Sequence, residues 1–439
     1  MKLASLLGHV HELLALVADG ERPADLVLDG FFRARRYLGS RDRRFVSETS
    51  FGVLRHRRRA EALVEAALLE VGDRPLAEDF RLLVITAYLV AIAGVEVSPE
   101  AVAEKLKDWR LKEPLPDILE RLRTVALAEP AGAAARLGLR HSFPDWMAER
   151  FIALLGEEEA LRLAAALNQP APLCLRVNTL RATREACREA LAAEGVASAP
   201  TALSPWGLVL ERRVNLPGLD SFRRGLFEVQ DEASQIVALL VDAAPGQRVL
   251  DACAGSGGKS LALAAAMEDR GMVVAADVSE ARLRPLAQRA ARAGATCVRP
   301  RLVGSLYELT AEGAIYDRVL VDAPCSLTGT LRRNPGLKWT LSETAVAEAA
   351  ARQLSILEEV ASLLKPGGRL VYATCSMLRE EDEDVVAAFL ARHGEFTLTP
   401  PAEVRAKLGL GGIAAGDTLR LWPHRHGTDG FYAAVLARN

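Results

Sequence analysis

The chain has 439 residues, a formal net charge of −2 and a hydrophobic fraction of 50%. This composition is typical of folded globular domains and excludes a disordered tail or a fibre. The length predicts two to four domains. Because the total charge is nearly balanced, any contact with nucleic acid must come from local patches of charge. The six cysteines include no Cys-x-x-Cys pair, which disfavours a zinc ribbon or a thioredoxin-like site.

The sequence shows neither a secretory signal nor a membrane span. The longest nearly apolar stretch, residues 82–95, is too short to cross a bilayer and is predicted to be a buried core helix. We therefore expect a cytoplasmic protein with reduced thiols.

Residues 1–138 are predicted to form an all-helical domain, because apolar residues recur at spacings of three and four positions. One helix is expected to begin at Pro99, with Ser98 as its N-cap. The other periodic segments are residues 3–17, 46–54, 62–69 and 80–92.

A strongly basic segment lies within this domain. Residues 33–59 contain ten arginines and two acidic residues, a local balance of +8. Two interpretations are open: a solvated helix surface, or a surface that binds RNA phosphates, because clustered guanidinium groups displace counterions and chelate phosphate oxygens. The RNA-binding candidates of the second interpretation are Arg55, Arg57, Arg58 and Arg59.

Residues 139–232 are predicted to be a small α/β module. Its expected helices are residues 141–155, 157–167 and 183–194, and its expected strands are residues 173–177 and 207–210.

From residue 233 to the C-terminus, strands alternate with helices. This alternation predicts a doubly wound, Rossmann-like sheet of mostly parallel strands with helices on both faces. Ligands of such sheets bind beyond the carboxyl ends of the strands. The expected strands are residues 248–251, 272–277, 318–322, 369–374 and 431–437, and the expected helices are residues 258–267, 279–293, 343–364 and 381–393.

A glycine-rich loop at residues 251–260 follows the first of these strands. Small residues let the backbone approach a ligand closely, and the next helix offers free N–H groups. The end of the loop matches a phosphate-binding loop, but Cys253 stands where the first glycine of that motif belongs. A nucleoside triphosphatase nevertheless remains open, whereas a dinucleotide site is disfavoured because Ser260 replaces its third glycine.

An S-adenosylmethionine site is the third interpretation of this loop. That cofactor needs a glycine turn for its amino-acid end and an acid for its ribose hydroxyls. Asp277 ends the second strand and is placed for the ribose. The alternative role of Asp277 is the N-cap of the next helix. Because Ser279 is the better N-cap, we favour a ligand-binding role for Asp277.

Two cysteines, Cys325 and Cys375, follow the ends of two predicted strands, and each precedes a serine. If both strands lie in the sheet, both thiols reach its carboxyl edge beside the glycine loop. A thiolate can add to carbon 6 of cytosine and make carbon 5 nucleophilic enough to accept a methyl group. Asp322, three residues before Cys325, is placed to hold the ring. Cys174, Cys187 and Cys297 are interpreted as small buried hydrophobic residues.

These motifs resemble those of the RNA cytosine-5 methyltransferases (the NOL1/NOP2/Sun family), and in particular the bacterial small-subunit ribosomal RNA cytosine-5 methyltransferase B group. Residues 322–326, Asp-Ala-Pro-Cys-Ser, are similar to motif IV, and residues 372–376, Tyr-Ala-Thr-Cys-Ser, to motif VI. The glycine loop resembles motif I. The helical start, with residues 51–55, resembles transcription antitermination factor B.

The resemblance implies methyl transfer from S-adenosylmethionine to carbon 5 of a cytosine in RNA, with small-subunit (16S) ribosomal RNA as the expected substrate. It implies that Cys375 is the nucleophile, that Cys325 assists product release, and that Asp322 lies beside both methyl donor and base. A DNA-type arrangement would select Cys325 as nucleophile, but the second cysteine motif favours the RNA type. The implied cofactor-binding residues are Ala254, Gly255, Ser256, Gly257, Gly258, Lys259, Ser260, Asp277, Arg282 and Asp322.

The partners expected from the sequence are RNA and the cofactor, without a metal or a membrane, and the chain is expected to be a monomer. Arg332 and Arg333 are further candidates for RNA phosphates, with a solvated pair as the alternative. A non-catalytic RNA-binding assembly factor also remains open, because of the basic segment.

One departure from the family pattern concerns the adenine of the cofactor. The family usually has an acid, for contact with the adenine, where Ser305 stands in this chain. Ser305 can still accept one hydrogen bond, so it is kept as a cofactor-binding candidate with an expected loss of affinity.

Overall fold

The structure, a computed structural model, describes residues 1–18, 24–69, 75–108, 113–400, 406 and 416–439. It contains two compact units. The first comprises Met1–Gln169 and Leu331–Leu341, and the second comprises Pro170–Thr330 and Ser342–Asn439. The domain boundaries at residues 138 and 232 remain predictions. The inclusion of Leu331–Leu341 in the first unit was not predicted.

The regular secondary structure in the described residues of the first unit is entirely helical, as the periodicity predicts. Ser98 caps a helix by accepting a bond from the Ala101 N–H, which confirms the predicted helix start. Tyr88–Ile92 continues the fourth helix as a π-helix. The helices are α1 (Leu3–Ala18), α2 (Ala24–Ala34), α3 (Ser40–Leu68), α4 (Ala77–Ala87), α5 (Pro99–Ala103), α6 (Leu115–Thr124), α7 (Ala133–His141), α8 (Asp145–Leu155) and α9 (Glu157–Leu167).

The single helix predicted at residues 141–155 is wrong. The helix α7 ends at His141, and Ser142 adopts the left-handed conformation with φ of 55°. Pro144 follows and disfavours helical geometry at the residue before it. The chain therefore starts a new helix, α8, at Asp145.

The long helix α3 is kinked at His56, where the backbone is non-helical. Side chains of the Leu331–Leu341 segment bind the carbonyls beside this kink. The Trp339 indole N–H donates to the Leu54 carbonyl at 2.8 Å, and the Lys338 ammonium donates to the Arg55 carbonyl at 3.0 Å. This segment includes α15 (Leu337–Thr340).

Lys338 is completely buried, and burial lowers its pKa well below the usual value. Its ammonium also donates to the Ser142 carbonyl at 3.0 Å and to the Asn168 side-chain oxygen at 2.7 Å. Buried polar groups are tolerated only when they are hydrogen-bonded. Lys338 therefore joins α3, the α7–α8 connection and the end of α9.

The second unit begins with an antiparallel four-stranded sheet in the order β2-β3-β1-β4. It confirms the predicted α/β module. Its strands are β1 (Leu173–Val177), β2 (Ser198–Pro200), β3 (Gly207–Leu210) and β4 (Phe227–Val229), and its helices are α10 (Arg184–Ala193) and α11 (Asp220–Arg223).

An eight-stranded sheet forms the rest of this unit, in the order β10-β12-β9-β8-β5-β6-β7, with β11 beside β12. The strands β7, β6, β5, β8 and β9 are parallel, and β12, β10 and β11 are antiparallel to their neighbours. The strands are β5 (Arg248–Asp251), β6 (Met272–Asp277), β7 (Val298–Leu302), β8 (Tyr316–Asp322), β9 (Leu364–Thr374), β10 (Phe396–Leu398), β11 (Leu419–Leu421) and β12 (Phe431–Arg438).

Helices cover both faces of this sheet, which confirms the predicted doubly wound fold. The helices on one face are α12 (Glu232–Leu240), α13 (Gly258–Ala266) and α14 (Glu280–Ala293). Those on the other face are α16 (Glu343–Ala361) and α17 (Glu383–Arg392), and a short helix, α18 (Pro423–His426), precedes β12. The strand β7 escaped prediction because it is a largely exposed edge strand that contains Pro300.

The order of the parallel strands reverses between β5 and β8, since β6 lies on one side of β5 and β8 on the other. Ligands of open α/β sheets bind at such switch points, beyond the carboxyl ends of the strands. Across the described parts of the chain, we find no helix long and apolar enough to cross a membrane.

Replacing Lys338 by Met should destabilise α3, because it leaves buried oxygens of Arg55, Ser142 and Asn168 without their donor. We expect a loss of about 3 kcal/mol in the opening free energy of α3, measured by hydrogen exchange. The control is Lys365→Met, which breaks a more exposed ion pair with Asp317. This variant should lower the opening free energy by less than about 1 kcal/mol. Equal effects of the two variants would contradict this role of Lys338.

Candidate active site

A cavity of about 600 Å³ opens at the carboxyl ends of the central parallel strands of the second unit. Its volume is within the usual range of small-molecule and cofactor sites. It brings together most of the predicted catalytic and cofactor-binding residues, namely Ala254, Gly255, Ser256, Gly258, Lys259, Asp277, Arg282, Ser305, Asp322, Cys325 and Cys375.

The glycine loop takes a backbone path that side chains would obstruct. Gly255 and Gly257 have φ angles of 54° and 80°, in the left-handed region that favours glycine. A Cβ atom on Gly257 would also lie 2.1 Å from Leu286 Cδ1. Gly257 is the N-cap residue of α13, and Ser260 donates from Oγ to Asp251 at 2.6 Å. Gly257 and Ser260, which were predicted to bind the cofactor, do not line the cavity but support the loop that does.

Two arginines that were not predicted as site residues hold this loop in place. Arg176, a buried residue of β1, donates to the Gly258 carbonyl at 2.5 Å. Arg289 of α14 donates to the Ser256 carbonyl at 2.6 Å and pairs with Glu228 at 3.0 Å. Arg176 lies in a segment, residues 175–180, that also resembles the family, but the sequence alone gave neither arginine a role because both act through backbone oxygens.

Asp277 lies at the end of β6 and binds backbone N–H groups with both carboxylate oxygens. It accepts bonds from Gly255 and Ser279, each at 2.8 Å. Ser279 is the N-cap residue of α14, as predicted, although its side chain makes no capping bond. Since a carboxylate has about four acceptor positions, Asp277 retains capacity to bind ligand hydroxyls in the cavity.

Asp251 provides an acceptor that has no partner within the described residues. Its side chain is buried in the cavity wall, and its Oδ1 atom makes no hydrogen bond. Burial raises the pKa of Asp251 to about 7. An unpaired buried oxygen on a residue that lines a cavity fits a ligand with a donor group, such as the ammonium of an amino-acid moiety.

Lys259 pairs with Asp322 across the cavity wall at 2.5 Å, and its ammonium lies 5.2 Å from the centre of the Phe431 ring. In a phosphate-binding loop, the corresponding lysine reaches the phosphates. Here its charge is neutralised by a carboxylate, so the pairing disfavours the triphosphatase interpretation.

The two thiols at the strand ends lie together, with Cys325 Sγ 3.4 Å from Cys375 Sγ. The bond to Cys375 and, secondarily, burial raise the pKa of Cys325 well above its usual value. Cys325 therefore keeps its proton at neutral pH. Cys253 also lines the cavity, and burial raises its pKa. Cys174, Cys187 and Cys297 are buried, as predicted.

A network around Glu381 explains why each thiol is followed by a serine. Glu381 is completely buried and accepts bonds from the hydroxyls of Ser326 and Ser376, the latter at 2.5 Å. It also accepts from the Ser326 N–H at 2.8 Å and from Gln353 at 3.0 Å. One carboxylate therefore joins the two cysteine loops. The sequence analysis gave Glu381 no site role.

Close backbone contacts fix these loops further. The Gly329 N–H donates to the Cys375 carbonyl at 2.8 Å, and the Gly430 N–H donates to the Gly329 carbonyl at 2.9 Å. A Cβ atom on Gly329 would lie 2.1 Å from the Gly430 oxygen and 2.7 Å from the Cys375 oxygen.

The predicted RNA-binding arginines all lie in the first unit. Three of them bond groups of this unit: Arg55 bonds the Arg332 carbonyl, Arg57 bonds Glu61, and Arg58 bonds Asp145. Arg332 is 6% exposed, whereas Arg59 and Arg333 are exposed. Their exposure makes the last two the members best placed to meet phosphates.

In the described ranges, no group of three or more His, Cys, Asp or Glu residues is arranged for a metal ion.

The Gly329→Ala substitution should push the two cysteine loops apart, because the added methyl group meets two backbone oxygens. We expect a loss of about 2 kcal/mol or more in the free energy of unfolding, and faster alkylation of both thiols. The matched control is Gly394→Ala, since a Cβ atom there meets nothing within 4 Å. Unchanged stability and alkylation rates in Gly329→Ala would refute this account.

Comparison with known proteins identifies the family. A family model described as 16S rRNA methyltransferase RsmB/F matches residues 238–437, and a model of the ferredoxin-like domain of such methyltransferases matches residues 143–217. The probable ribosomal RNA small subunit methyltransferase B of Synechocystis is 32% identical, with 91% of this chain and 92% of that protein covered. Ribosomal RNA small subunit methyltransferase B of Pseudomonas putida is 33% identical, with 91% and 92% covered.

Solved structures agree with this match. A methyltransferase homologue from Pyrococcus horikoshii is 29% identical and covers 71% of this chain and 100% of its own, with a TM-score of 0.61. The crystal structure of PH0851 is 26% identical and covers 100% of this chain and 99% of its own, with a TM-score of 0.78. The chain thus belongs to the RsmB/F family of ribosomal RNA small subunit methyltransferases, and its methyl donor is S-adenosylmethionine.

Proposed function

We propose that this protein methylates carbon 5 of a cytosine in small-subunit ribosomal RNA through a covalent bond between Cys375 and carbon 6. The observation that carries the proposal is the pair of thiols, 3.4 Å apart, in the same cavity as the glycine loop and Asp277. The names of the curated relatives support the ribosomal RNA substrate. Such a substrate would place the reaction in the cytoplasm.

The residues that line the cavity fit S-adenosylmethionine. The unpaired Oδ1 of Asp251 suits the ammonium group of its methionine end, and Asp277 suits its ribose hydroxyls. The backbone of the Gly255–Gly258 turn approaches the ligand space without side chains other than that of Ser256. The bound cofactor supplies an electrophilic methyl group.

Cys375 acts as the nucleophile in this proposal. Its sulfur forms a bond to carbon 6 of the cytosine, which makes carbon 5 nucleophilic enough to accept the methyl group that the bound cofactor would supply, with S-adenosylhomocysteine as the leaving product. The proton on carbon 5 must next leave to a base, and the bond between sulfur and carbon 6 breaks to restore the double bond. The substituted cytosine and the free Cys375 thiolate result.

Cys325 and Asp322 assist this sequence. Cys325 holds its proton, so it can donate a hydrogen bond to the departing Cys375 thiolate at the release stage, and it is unsuited to the nucleophilic role of a DNA-type arrangement. Asp322 lines the same cavity and can accept a bond from the cytosine amino group. Lys259 pairs with Asp322 and thereby helps to fix the position of its carboxylate in the cavity.

An adduct experiment distinguishes the roles of the two thiols. The Cys325→Ala variant should accumulate an RNA–protein adduct on a denaturing gel when it is incubated with S-adenosylmethionine and small-subunit ribosomal RNA, because addition proceeds and release is impaired. The Cys325→Ala/Cys375→Ala double variant should form no adduct. Cys187→Ala, which removes a buried thiol elsewhere, should behave like the unmodified protein. An adduct that persists in the double variant, or methyl transfer by Cys375→Ala at the unmodified rate, would refute the assignment.

We also propose that Arg59 and Arg333 contact RNA phosphates from the first unit. Replacing both by Ala should lower the dependence of log Kd on log salt concentration by about two, since each phosphate contact contributes about one. Filter binding of small-subunit ribosomal RNA at several salt concentrations measures this slope. The control is Arg162→Ala, because Arg162 is an exposed arginine of α9 that lies outside the basic segment. An unchanged slope in the double variant would leave both arginines as ordinary surface residues.

A further inference from the structure

Ser305, which stands where the family usually has an acid, is hydrogen-bonded to a different acid. Its hydroxyl donates to Glu359 Oε2 at 2.8 Å, and both residues line the cofactor cavity. Glu359 belongs to α16 and is 54 residues further along the chain. A carboxylate is therefore present at this end of the cavity, although a different element supplies it.

Helix α16 presents this acid together with an apolar surface. Arg352, Ile356 and Glu359 all line the cavity, at spacings of four and three residues that place them on one helix face. Val278 and Leu306 line the same region. Because the base of a nucleoside is bonded directly to its ribose, a ribose at Asp277 puts the base beside Val278, the next residue. These apolar side chains fit the faces of a purine ring.

Among the described residues, four carboxylates line the cavity, and three of them have other roles. Asp322 pairs with Lys259, Asp277 binds two backbone N–H groups, and Asp251 bonds Ser260 at the end of β5. Glu308 is near in sequence, but it accepts a bond from the Gly304 N–H and does not line the cavity. Glu359 is therefore the remaining carboxylate that could bind the purine base of the cofactor.

The bonds of Glu359 leave acceptor capacity for a ligand. Its Oε2 accepts from Ser305, and its Oε1 accepts a longer bond of 3.3 Å from Ser355. A carboxylate can accept about four hydrogen bonds. Adenine presents an exocyclic amino group that donates, whereas hypoxanthine presents a carbonyl oxygen at the same position. A carboxylate at this edge attracts the first and repels the second.

We propose that Glu359 is the specificity-determining residue that recognises the amino group of the cofactor adenine, in place of the acid missing at position 305. Ser305 acts as a positioning residue that orients the Glu359 carboxylate through its hydroxyl. The cofactor site thus keeps a carboxylate that can accept a bond from the adenine. Helix α16 supplies this carboxylate, instead of the loop after β7 in which Ser305 stands.

Calorimetric titration with two product analogues tests this role without any need for catalysis. The unmodified protein should bind S-adenosylhomocysteine at least tenfold more tightly than S-inosylhomocysteine, in which a carbonyl replaces the adenine amino group. Glu359→Gln should weaken binding of the adenine ligand about tenfold, which corresponds to about 1.4 kcal/mol. It should also remove most of the preference, because an amide can turn to donate to the carbonyl of hypoxanthine.

The matched control is Glu358→Gln, on the same helix, because Glu358 pairs with Arg392 and does not line the cavity. This variant should bind both ligands as the unmodified protein does. A second variant, Ser305→Asp/Glu359→Ala, moves the carboxylate back to the loop and should recover the preference for the adenine ligand. Thermal melting of each variant checks that it is folded.

Two results would overturn the proposal. One is Glu359→Gln binding of both ligands with unmodified affinity. The other is an equal loss of affinity for both ligands, which would reveal a structural role in place of base recognition. Either result would leave S-adenosylmethionine as the cofactor, because binding of S-adenosylhomocysteine by the unmodified protein is measured separately.

Discussion

The geometry of the candidate active site depends on the hydrogen bonds that the Glu381 carboxylate accepts. This carboxylate is completely buried and binds the residues that directly follow the two cysteines. A buried carboxylate is tolerable only while its oxygens remain hydrogen-bonded. The two loops therefore cannot separate without leaving the buried oxygens of Glu381 short of hydrogen-bond donors. The 3.4 Å separation of the thiols follows from that constraint.

The carboxyl edge of the parallel sheet concentrates further acids, and each one has a distinct environment. Asp251 is buried with an unpaired oxygen, Asp277 binds backbone N–H groups, and Asp322 pairs with a lysine. Different surroundings give similar carboxyl groups different chemical tasks. Under the proposals above, Asp251 meets the amino-acid end of the cofactor, Asp277 meets its ribose, and Asp322 meets the target cytosine.

Local sequence patterns predicted the fold class and the location of the site. Alternation of strands and helices identified the doubly wound sheet, and the positions of Cys325 and Cys375 after two strands predicted that both thiols reach its carboxyl edge. These features depend on residues that are close in sequence. The break between α7 and α8 was missed although Pro144 marks it, because the apolar spacing continues across the break.

Contacts between distant residues could not be predicted in this way. Ser326 and Glu381 are 55 residues apart, and Lys338 and Arg55 are 283 residues apart. Nothing in the local sequence specifies that Leu331–Leu341 packs in the helical unit, or that Glu359 meets Ser305. Such pairings arise from tertiary packing, and a single sequence records only their two separate ends.

The most direct test of the covalent mechanism is peptide mass spectrometry of the unmodified protein after reaction with RNA that contains 5-fluorocytidine. Fluorine at carbon 5 cannot leave as a proton would, so the enzyme should remain bonded to the base after methyl transfer. The account predicts a methylated nucleotide on the peptide that contains Cys375, with Cys325 unmodified. A nucleotide on Cys325, or complete methyl transfer with no adduct, would contradict it.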